Sequence, residues 1–185
     1  YLSANFVDLQ TGSTVFTPYA VKDFDGKKAA FIGICTPETY TKSTPVYFQD
    51  KNGNYLYSFS ENTFYETIQN TIDQAREDGA DIVIAVGHLG INGTASGWKS
   101  TDVIANTTGI DVFIDGHSHE TIANNIYQNK DGEDVPLTST GTKFDNFGIM
   151  KIQMDASDAS NDISITAQLL HPSEVTYDSS EAASE

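Results

Sequence analysis

Cysteine, histidine and basic residues are scarce in this chain of 185 residues, and these scarcities exclude several classes of protein. The single cysteine, Cys35, lies in an apolar run, so we expect a small buried side chain, no internal disulfide and no thiolate metal cluster. Ten Lys and Arg stand against 26 Asp and Glu, and the formal net charge of −16 argues against a broad basic surface for a nucleic-acid polymer. No apolar run approaches the ~20 residues of a membrane-spanning helix. The negative charge does not exclude binding of a small phosphorylated ligand, because a bound metal ion supplies positive charge locally.

The patterning of the first half predicts strands followed by one helix. Alternation predicts strands over residues 1–6 and 15–24 with a hairpin turn at Asp25-Gly26, and the apolar run 28–36 predicts a strand covered on both faces. Residues 36–60, rich in Pro, Gly, Asn and Tyr, predict a long excursion. A helix is predicted over 61–78, since its apolar side chains fall on one stripe and Gly79 follows it. The stripe consists of Phe64, Ile68, Ile72 and Ala75.

The second half predicts two short buried strands and then a run of exposed ones. Buried strands are predicted over the apolar run 82–86 and over 111–115, which is apolar at its centre, with a short helix predicted over 101–106 between them. An antiparallel run of strands follows, predicted over 122–127, 135–140, 147–154 and 163–170. This order favours an α/β fold of mixed sheets with helices on the outside. The acidic, serine-rich residues 173–185 predict a linker after a domain portion that covers residues 1–172.

Three of the four histidines follow predicted buried strands. His88 comes after the strand over 82–86, and His117 and His119 come after 111–115. Carboxyl ends of adjacent strands form the ligand crevice in layered α/β folds, and neutral imidazole is a frequent metal ligand. In an extended segment alternate residues point the same way, so His117 and His119 are predicted to face one site, with Gly116 permitting a sharp turn. For each histidine alone, a hydrogen-bonded loop residue is the alternative, and His171 is predicted to be only exposed.

Two blocks of sequence resemble the last two metal blocks of the calcineurin-like metallophosphoesterases. One is Val86-Gly87-His88-Leu89-Gly90, and the other is DVFIDGHSH over residues 111–119. The match is nearest to the bacterial secreted branch, with its 5′-nucleotidases, UDP-sugar hydrolases and 2′,3′-cyclic-nucleotide phosphodiesterases. Residues 2–6, 28–36, 138–141 and 147–148 also resemble segments of that branch, so the resemblance covers nearly the whole chain.

The resemblance implies a fold, a reaction and a set of ligands. The fold is the second half of a four-layer αββα sandwich, with mixed β-sheets and flanking helices. The reaction is hydrolysis of a nucleotide or another small phosphoester by a metal-activated water that attacks phosphorus. Two divalent ions (Mn, Zn, Fe or Co) are implied, with His88 and His117 on one ion and His119 on its neighbour. The resemblance also implies an extracellular, periplasmic or cell-wall location.

The chain also departs from the family pattern. Three earlier ligand blocks, the histidine that protonates the leaving group and the C-terminal nucleotide-binding domain of the family have no counterpart in the sequence. We therefore assign no catalytic or substrate-binding residue, and expect the isolated chain to bind metal weakly and to be inactive. A half-domain leaves a sheet face uncovered, which predicts self-association or domain swapping. Asp115, where the family more often has glycine, predicts a carboxylate that caps its own turn.

Two other functions stay open. One is a non-catalytic binding module at a cell surface that keeps part of a metal site. The other is a mononuclear zinc hydrolase with the ligands His88, His117 and His119, and with Asp102 as an optional fourth. The upstream ligand blocks in the full-length sequence and the number of metal ions per chain distinguish these functions from the two-metal phosphoesterase.

Overall fold

A computed structural model of the chain describes residues 1–154 and 163–175, in which ten strands and three α-helices form. The strands are β1 (Val7–Asp8), β2 (Tyr19–Phe24), β3 (Lys27–Cys35), β4 (Tyr57–Ser58), β5 (Ile82–His88), β6 (Val112–Asp115), β7 (Thr121–Gln128), β8 (Asp134–Thr140), β9 (Phe147–Met154) and β10 (Ile163–Leu170). The helices are α1 (Thr39–Lys42), α2 (Phe64–Glu77) and α3 (Ser100–Asn106), with 3₁₀ turns at Pro45–Phe48 and Pro172–Glu174. Residues 176–185 of the predicted linker lie outside the described residues.

A six-stranded sheet organises the molecule, in the order β2-β3-β5-β6-β8-β7. β3, β5, β6 and β8 run parallel, while β2 and β7 pair antiparallel with their neighbours at the two edges. The carboxyl ends of the parallel strands therefore meet at one edge of the sheet. This is the mixed sheet with flanking helices that the sequence predicts. No helix in the described ranges is long and apolar enough to cross a bilayer.

The sheet separates two layers of packed apolar side chains. On one face, Ile68 and Ile72 of α2 pack with Val83 and Phe113 in the larger core, and all four side chains are fully buried. On the other face, the β9–β10 hairpin covers a smaller cluster, in which the following residues pack together: Ala29, Ile82, Ile84, Val112, Met150 and Ile152. Alternate residues of β5 thus point to opposite layers, as the period of two in a strand requires.

The predicted helix over 61–78 is confirmed as α2. The buried residues of α2 are the predicted stripe: Phe64, Ile68, Ile72 and Ala75. Gly79 follows the helix with φ of 90°, a left-handed conformation that glycine adopts without a steric cost. Burying each large side chain of this kind contributes about 1.5–3 kcal/mol. Packing of these side chains against the sheet therefore stabilises the helix and holds it in place.

The predicted hairpin at Asp25-Gly26 is also confirmed. β2 and β3 pair antiparallel, and both turn residues have positive φ, 53° for Asp25 and 87° for Gly26. A two-residue turn with both φ values positive matches the twist of the strands on either side. The side chain of Asp23 accepts a hydrogen bond from the backbone N–H of Gly26 at 2.7 Å, which closes the turn.

The prediction of a strand over residues 1–6 is wrong. Leu2 makes only an isolated bridge to Thr17, and the chain bends at Ala4 and Asn5. Buried Asn5 donates to the carbonyls of Cys35 and Phe59 and accepts from the N–H of Cys35, so its side chain replaces a strand ladder. Cys35 is half-buried rather than buried. The second predicted strand also begins late, because β2 starts at Tyr19 rather than at residue 15.

The predicted antiparallel run in the last third is wrong in one pairing. β7 with β8 and β9 with β10 are antiparallel, but β8 pairs parallel with β6. β7 lies between β6 and β8 in the sequence and lengthens the connection enough for a parallel crossover. The excursion over residues 36–60 is confirmed as mostly irregular, although it contains α1, a 3₁₀ turn and β4.

Candidate metal-binding site

The structure brings His88 and His117 together at the carboxyl edge of the sheet. His88 is the last residue of β5, while His117 follows β6, which pairs with β5. The centroids of the two imidazole rings lie 4.9 Å apart with an interplanar angle of 70°. A Cβ atom on Gly116 would lie 3.4 Å from Nδ1 of His88, so glycine here allows the turn to approach the first ring closely.

The predicted extended conformation at His117 and His119 is wrong. The φ angles are 85° for His117 and 59° for His119, both in the left-handed region. A residue other than glycine in this region costs about 1–3 kcal/mol and persists only where its surroundings hold it. Gly116, by contrast, does not have positive φ. The turn is therefore formed by the strained histidines themselves.

Asp115 joins the two segments that carry the histidines. The sequence predicts a carboxylate that caps its own turn. The structure shows instead that Oδ1 of Asp115 accepts hydrogen bonds from the backbone N–H groups of Leu89, at 3.1 Å, and Gly90, at 3.2 Å. The Asp115 side chain is buried. The residues directly after His88 are thus fixed to the strand that leads into the His117 turn.

A second contact packs the same two segments against each other. The Ser118 hydroxyl accepts from the N–H of Ile91 at 3.2 Å. Gly90 has φ of 77°, and a Cβ atom placed on it would lie 2.9 Å from Cβ of Ser118 and from Oγ1 of Thr94. Both the backbone angle and the lack of space therefore require glycine at position 90.

Glu38 belongs to the site, although the sequence analysis did not single it out. Its Oε2 lies 3.0 Å from Nε2 of His117, and its Oε1 accepts from the N–H of Ala95 at 3.0 Å. The hydrogen bond with His117 is the main reason that the pKa of Glu38 falls below its usual value. The sequence offers one signal for Glu38, which is its position after a strand of the parallel set. Glu38 follows β3, just as His88 ends β5 and His117 follows β6. The residue that it contacts, however, is 79 positions away.

The surroundings of His88 favour its neutral imidazole. Burial, the largest cause, lowers the pKa of His88, and the nearby His117 lowers it further, while Asp115 raises it. His119 is near enough to contribute a further lowering. Neutral imidazole is the form that binds a metal ion, because its ring nitrogen then has a lone pair to donate.

The described residues do not complete a metal site by themselves. Within residues 1–154 and 163–175, no group of three or more His, Cys, Asp or Glu side chains is arranged to hold an ion. Asp102, the optional fourth ligand of a mononuclear site, instead accepts from the N–H groups of Gly97 at 2.8 Å and Lys99 at 3.2 Å at the start of α3. His171 is exposed, as predicted, and its ring bonds to Ser173.

Known proteins share both this fold and parts of this sequence. A comparison with models of protein families gives no match. The curated 2′,3′-cyclic-nucleotide 2′-phosphodiesterase/3′-nucleotidase of Salmonella typhimurium is 25% identical over 175 residues, which cover 84% of this chain and 26% of that protein. The trifunctional nucleotide phosphoesterase protein YfkN of Bacillus subtilis is 32% identical over 106 residues, which cover 57% of this chain and 6% of that protein.

Solved structures agree with the fold. The calcineurin-like phosphoesterase YfkN has a TM-score of 0.67 at 20% identity, covering 91% of this chain and 54% of its own. The sulfate thiohydrolase SoxB of Thermus thermophilus has a TM-score of 0.70 at 18% identity, covering 92% of this chain and 28% of its own. Since these two proteins are named for different reactions, the shared fold does not by itself specify a substrate.

The predicted fold class is confirmed: the chain has the mixed α/β sheet of the calcineurin-like phosphoesterases. The predicted resemblance is confirmed as well, because the chain is similar in sequence to nucleotide phosphoesterases, which are hydrolytic enzymes. The chain spans about a quarter of the length of the Salmonella relative.

Proposed function

We propose that this chain is one portion of a two-metal phosphoesterase that hydrolyses nucleotides, either as a 5′-nucleotidase or as a 2′,3′-cyclic-nucleotide phosphodiesterase/3′-nucleotidase. The observation that carries the proposal is the pair of imidazole rings of His88 and His117, 4.9 Å apart at the carboxyl edge of the sheet. Two relatives support the substrate class, one named a cyclic-nucleotide phosphodiesterase/3′-nucleotidase and the other a nucleotide phosphoesterase.

In this proposal His88 and His117 hold one divalent ion and His119 holds its neighbour, with Mn, Zn, Fe or Co as the candidates. Bound ions of this kind clamp a phosphoryl group and activate a water for attack on phosphorus. From the family resemblance, we assign the remaining ligands and the catalytic acid to parts of the protein outside this sequence. Metal occupancy in the isolated chain is then weak or partial.

The residues of this chain hold and orient the histidines. Asp115 and Ser118 fix the segment after β5 to the turn after β6, which keeps the two rings close. Burial lowers the pKa of His88, which favours the neutral ring whose lone pair can bind a metal ion. The formal charge of −16 repels a phosphorylated substrate, so positive charge at the site has to come from the bound ions.

We further propose that residues 1–172 are the C-terminal portion of the catalytic domain and that 173–185 lead toward a nucleotide-binding domain. Exposed apolar side chains on the face opposite the helices support a partner layer, since Phe24 is 58% exposed and Val86 is 41% exposed. The same face accounts for the expected self-association of the isolated chain. An extracellular, periplasmic or cell-wall location follows from the family resemblance.

The test uses the complete protein that contains this chain, with His88→Ala, His117→Ala and His119→Ala variants. His171→Ala is the matched control, because it removes the fourth histidine from an exposed turn. Metal content and turnover of 5′-AMP, 3′-AMP and 2′,3′-cyclic AMP are measured. Each site variant should lose more than about 100-fold in activity, since even indirect partners of a metal cost about 10- to 100-fold.

Other results would identify the alternatives. Bound metal without turnover of any of these substrates would favour a non-catalytic binding module. A single tightly bound zinc per chain would favour a mononuclear hydrolase. The isolated 185-residue chain, loaded with Mn²⁺ or Zn²⁺, should show no turnover, and measurable hydrolysis by it would contradict the assignment of ligands to other parts of the protein.

A further inference from the structure

Glu38 connects three segments at the carboxyl edge of the sheet. It follows β3 by three residues, and its two carboxylate oxygens contact the turn after β6 and the segment after β5. The side chains of Glu38 and His117 are 13% and 16% exposed, so both members of the pair are largely enclosed. An enclosed charge with two directed hydrogen bonds differs from a surface ion pair, which contributes little because water competes for it.

The chemistry of the pair fixes the direction of its hydrogen bond. An ionised carboxylate only accepts, so Nε2 of His117 must donate and must carry the proton. A neutral imidazole with its proton on Nε2 has its lone pair on Nδ1. Glu38 thereby determines which nitrogen of His117 is available to a ligand.

The backbone at His117 explains why such a contact is needed. With φ of 85°, this residue is in a conformation that costs about 1–3 kcal/mol and has to be held by its surroundings. Glu38 is the hydrogen-bond partner of its ring. Both carboxylate oxygens of Glu38 are already engaged, Oε2 with Nε2 of His117 and Oε1 with the N–H of Ala95. Its contacts therefore fit orientation of a ligand rather than direct ligation.

We propose that Glu38 is a positioning residue of the site, which holds His117 in the Nε2–H tautomer and leaves Nδ1 to bind the ion. Through Ala95 the same carboxylate fixes the segment after β5 to the His117 turn. The inference rests on the proposed metal site, although the tautomer can be measured without any metal. Carboxylate partners of this kind orient ligand histidines and raise their basicity.

The experiment compares the complete protein with its Glu38→Ala, Glu38→Asp and Glu77→Ala variants, each labelled with ¹⁵N-histidine. Glu38→Asp keeps the charge but withdraws the carboxylate by one C–C bond, about 1.5 Å. Glu77→Ala, which removes an exposed carboxylate at the end of α2, is the control. Side-chain ¹⁵N spectra of the metal-free proteins report the tautomer, with His117→Gln identifying the resonances. Titration with Zn²⁺ gives the affinity.

We expect both Glu38 variants to shift the side-chain ¹⁵N resonances of His117, because its ring is then free to exchange between the two tautomers, and Glu38→Ala to bind Zn²⁺ about 10- to 100-fold more weakly. Glu77→Ala should match the wild type in both measurements. Unchanged His117 resonances in folded Glu38→Ala would overturn the inference, and Glu38→Asp decides in the same way if the alanine variant does not fold. Changed resonances with unchanged Zn²⁺ affinity would overturn the positioning role. If the wild type binds no Zn²⁺, the proposed function fails, while the spectra still decide whether Glu38 sets the tautomer.

Discussion

The buried carboxylate of Asp115 accepts a hydrogen bond from the backbone N–H of Leu89 at 3.1 Å, and a second from Gly90. Asp115 ends β6 and Leu89 directly follows β5, so this contact joins the two segments that carry the histidines. The distance between the imidazole rings consequently depends on a side chain that does not have to touch an ion.

Replacing Asp115 with alanine should therefore weaken both the fold and the binding of metal. Two buried N–H groups lose their acceptor, and an unsatisfied buried donor costs about 1–3 kcal/mol. Urea unfolding should show a loss of about 2 kcal/mol or more, and Zn²⁺ titration of the complete protein should show weaker binding.

Asp102→Ala is the control for this change, because Asp102 also accepts two backbone hydrogen bonds, but at the start of α3. Its loss should cost about 1 kcal/mol of stability, as for other helix caps, and leave Zn²⁺ affinity as in the wild type. A large loss of affinity in Asp102→Ala would instead favour the mononuclear zinc site.

Gly90→Ala should destabilise the protein more than replacement of a positive-φ glycine that lies in open space. Its new Cβ would meet Cβ of Ser118 at 2.9 Å in addition to the unfavourable φ of 77°. Gly132→Ala isolates the backbone contribution, since Gly132 has φ of 85° and open space around it. We expect Gly90→Ala to lose about 1–3 kcal/mol more than Gly132→Ala in chemical unfolding. Equal losses would show that the two segments are not tightly packed.

Arg76→Leu should destabilise the opposite edge of the sheet in a pH-dependent way. Nη2 of Arg76 contacts Oδ2 of Asp111 at 2.6 Å, and Arg76 also donates to the carbonyls of Ala80, Asp81 and Gly109. Burial already raises the pKa of Asp111 above 3.8 despite this partner. Without Arg76 the pKa rises further, so the fold disfavours the ionised carboxylate still more.

The sign of this effect follows from the raised pKa. The penalty is small below the unfolded pKa of Asp111 and grows as the pH rises through its folded value. The difference in unfolding free energy between wild type and Arg76→Leu should reach about 2–3 kcal/mol at pH 7 and shrink toward pH 4. Arg76→Lys, which keeps the charge, should fall between them. A difference that does not change with pH would contradict the role of Asp111.

Tyr19→Phe should change the alkaline titration of the protein. The Tyr19 hydroxyl donates to Asp78, and this hydrogen bond is the main cause that raises the pKa of Tyr19 from 10.0 to about 12. The stabilisation is present below pH 10 and is lost as the pH rises to about 12. The absorbance difference between wild type and variant should show one tyrosine that ionises late. A difference that titrates near pH 10 would disprove the contact.

Strong local sequence patterns predict the local structure correctly in this chain. The stripe of α2 needs only 3.6-residue periodicity, and the turn at Asp25-Gly26 needs only residues that accept positive φ. The strand predicted over residues 1–6 failed because the side chain of Asn5 bonds to Cys35 and Phe59, 30 and 54 residues away. The alternation of apolar and polar residues carries no information about hydrogen bonds between residues so far apart in the chain.

The sequence predicts only part of the site, because the rest depends on contacts between residues that are far apart in the chain. The positions of His88 and His117 follow from strands that end in Gly-His, and the sequence shows this pattern. The strained φ angles of His117 and His119, and the contact between Glu38 and His117, arise only when three strands are placed side by side. Whether the histidines bind metal stays a prediction that the experiments above address.

The parallel pairing of Cys35 with His88 makes the length of β5 a requirement of the site. Ile82 and Ile84 face the hairpin layer, while Val83 and Ala85 face the helix layer, so His88 belongs by alternation to the hairpin side. Inserting or deleting one residue within β5 would exchange these two sets and turn the imidazole toward the helices. Natural variants of this domain should therefore change the number of residues between Ile82 and His88 only by twos.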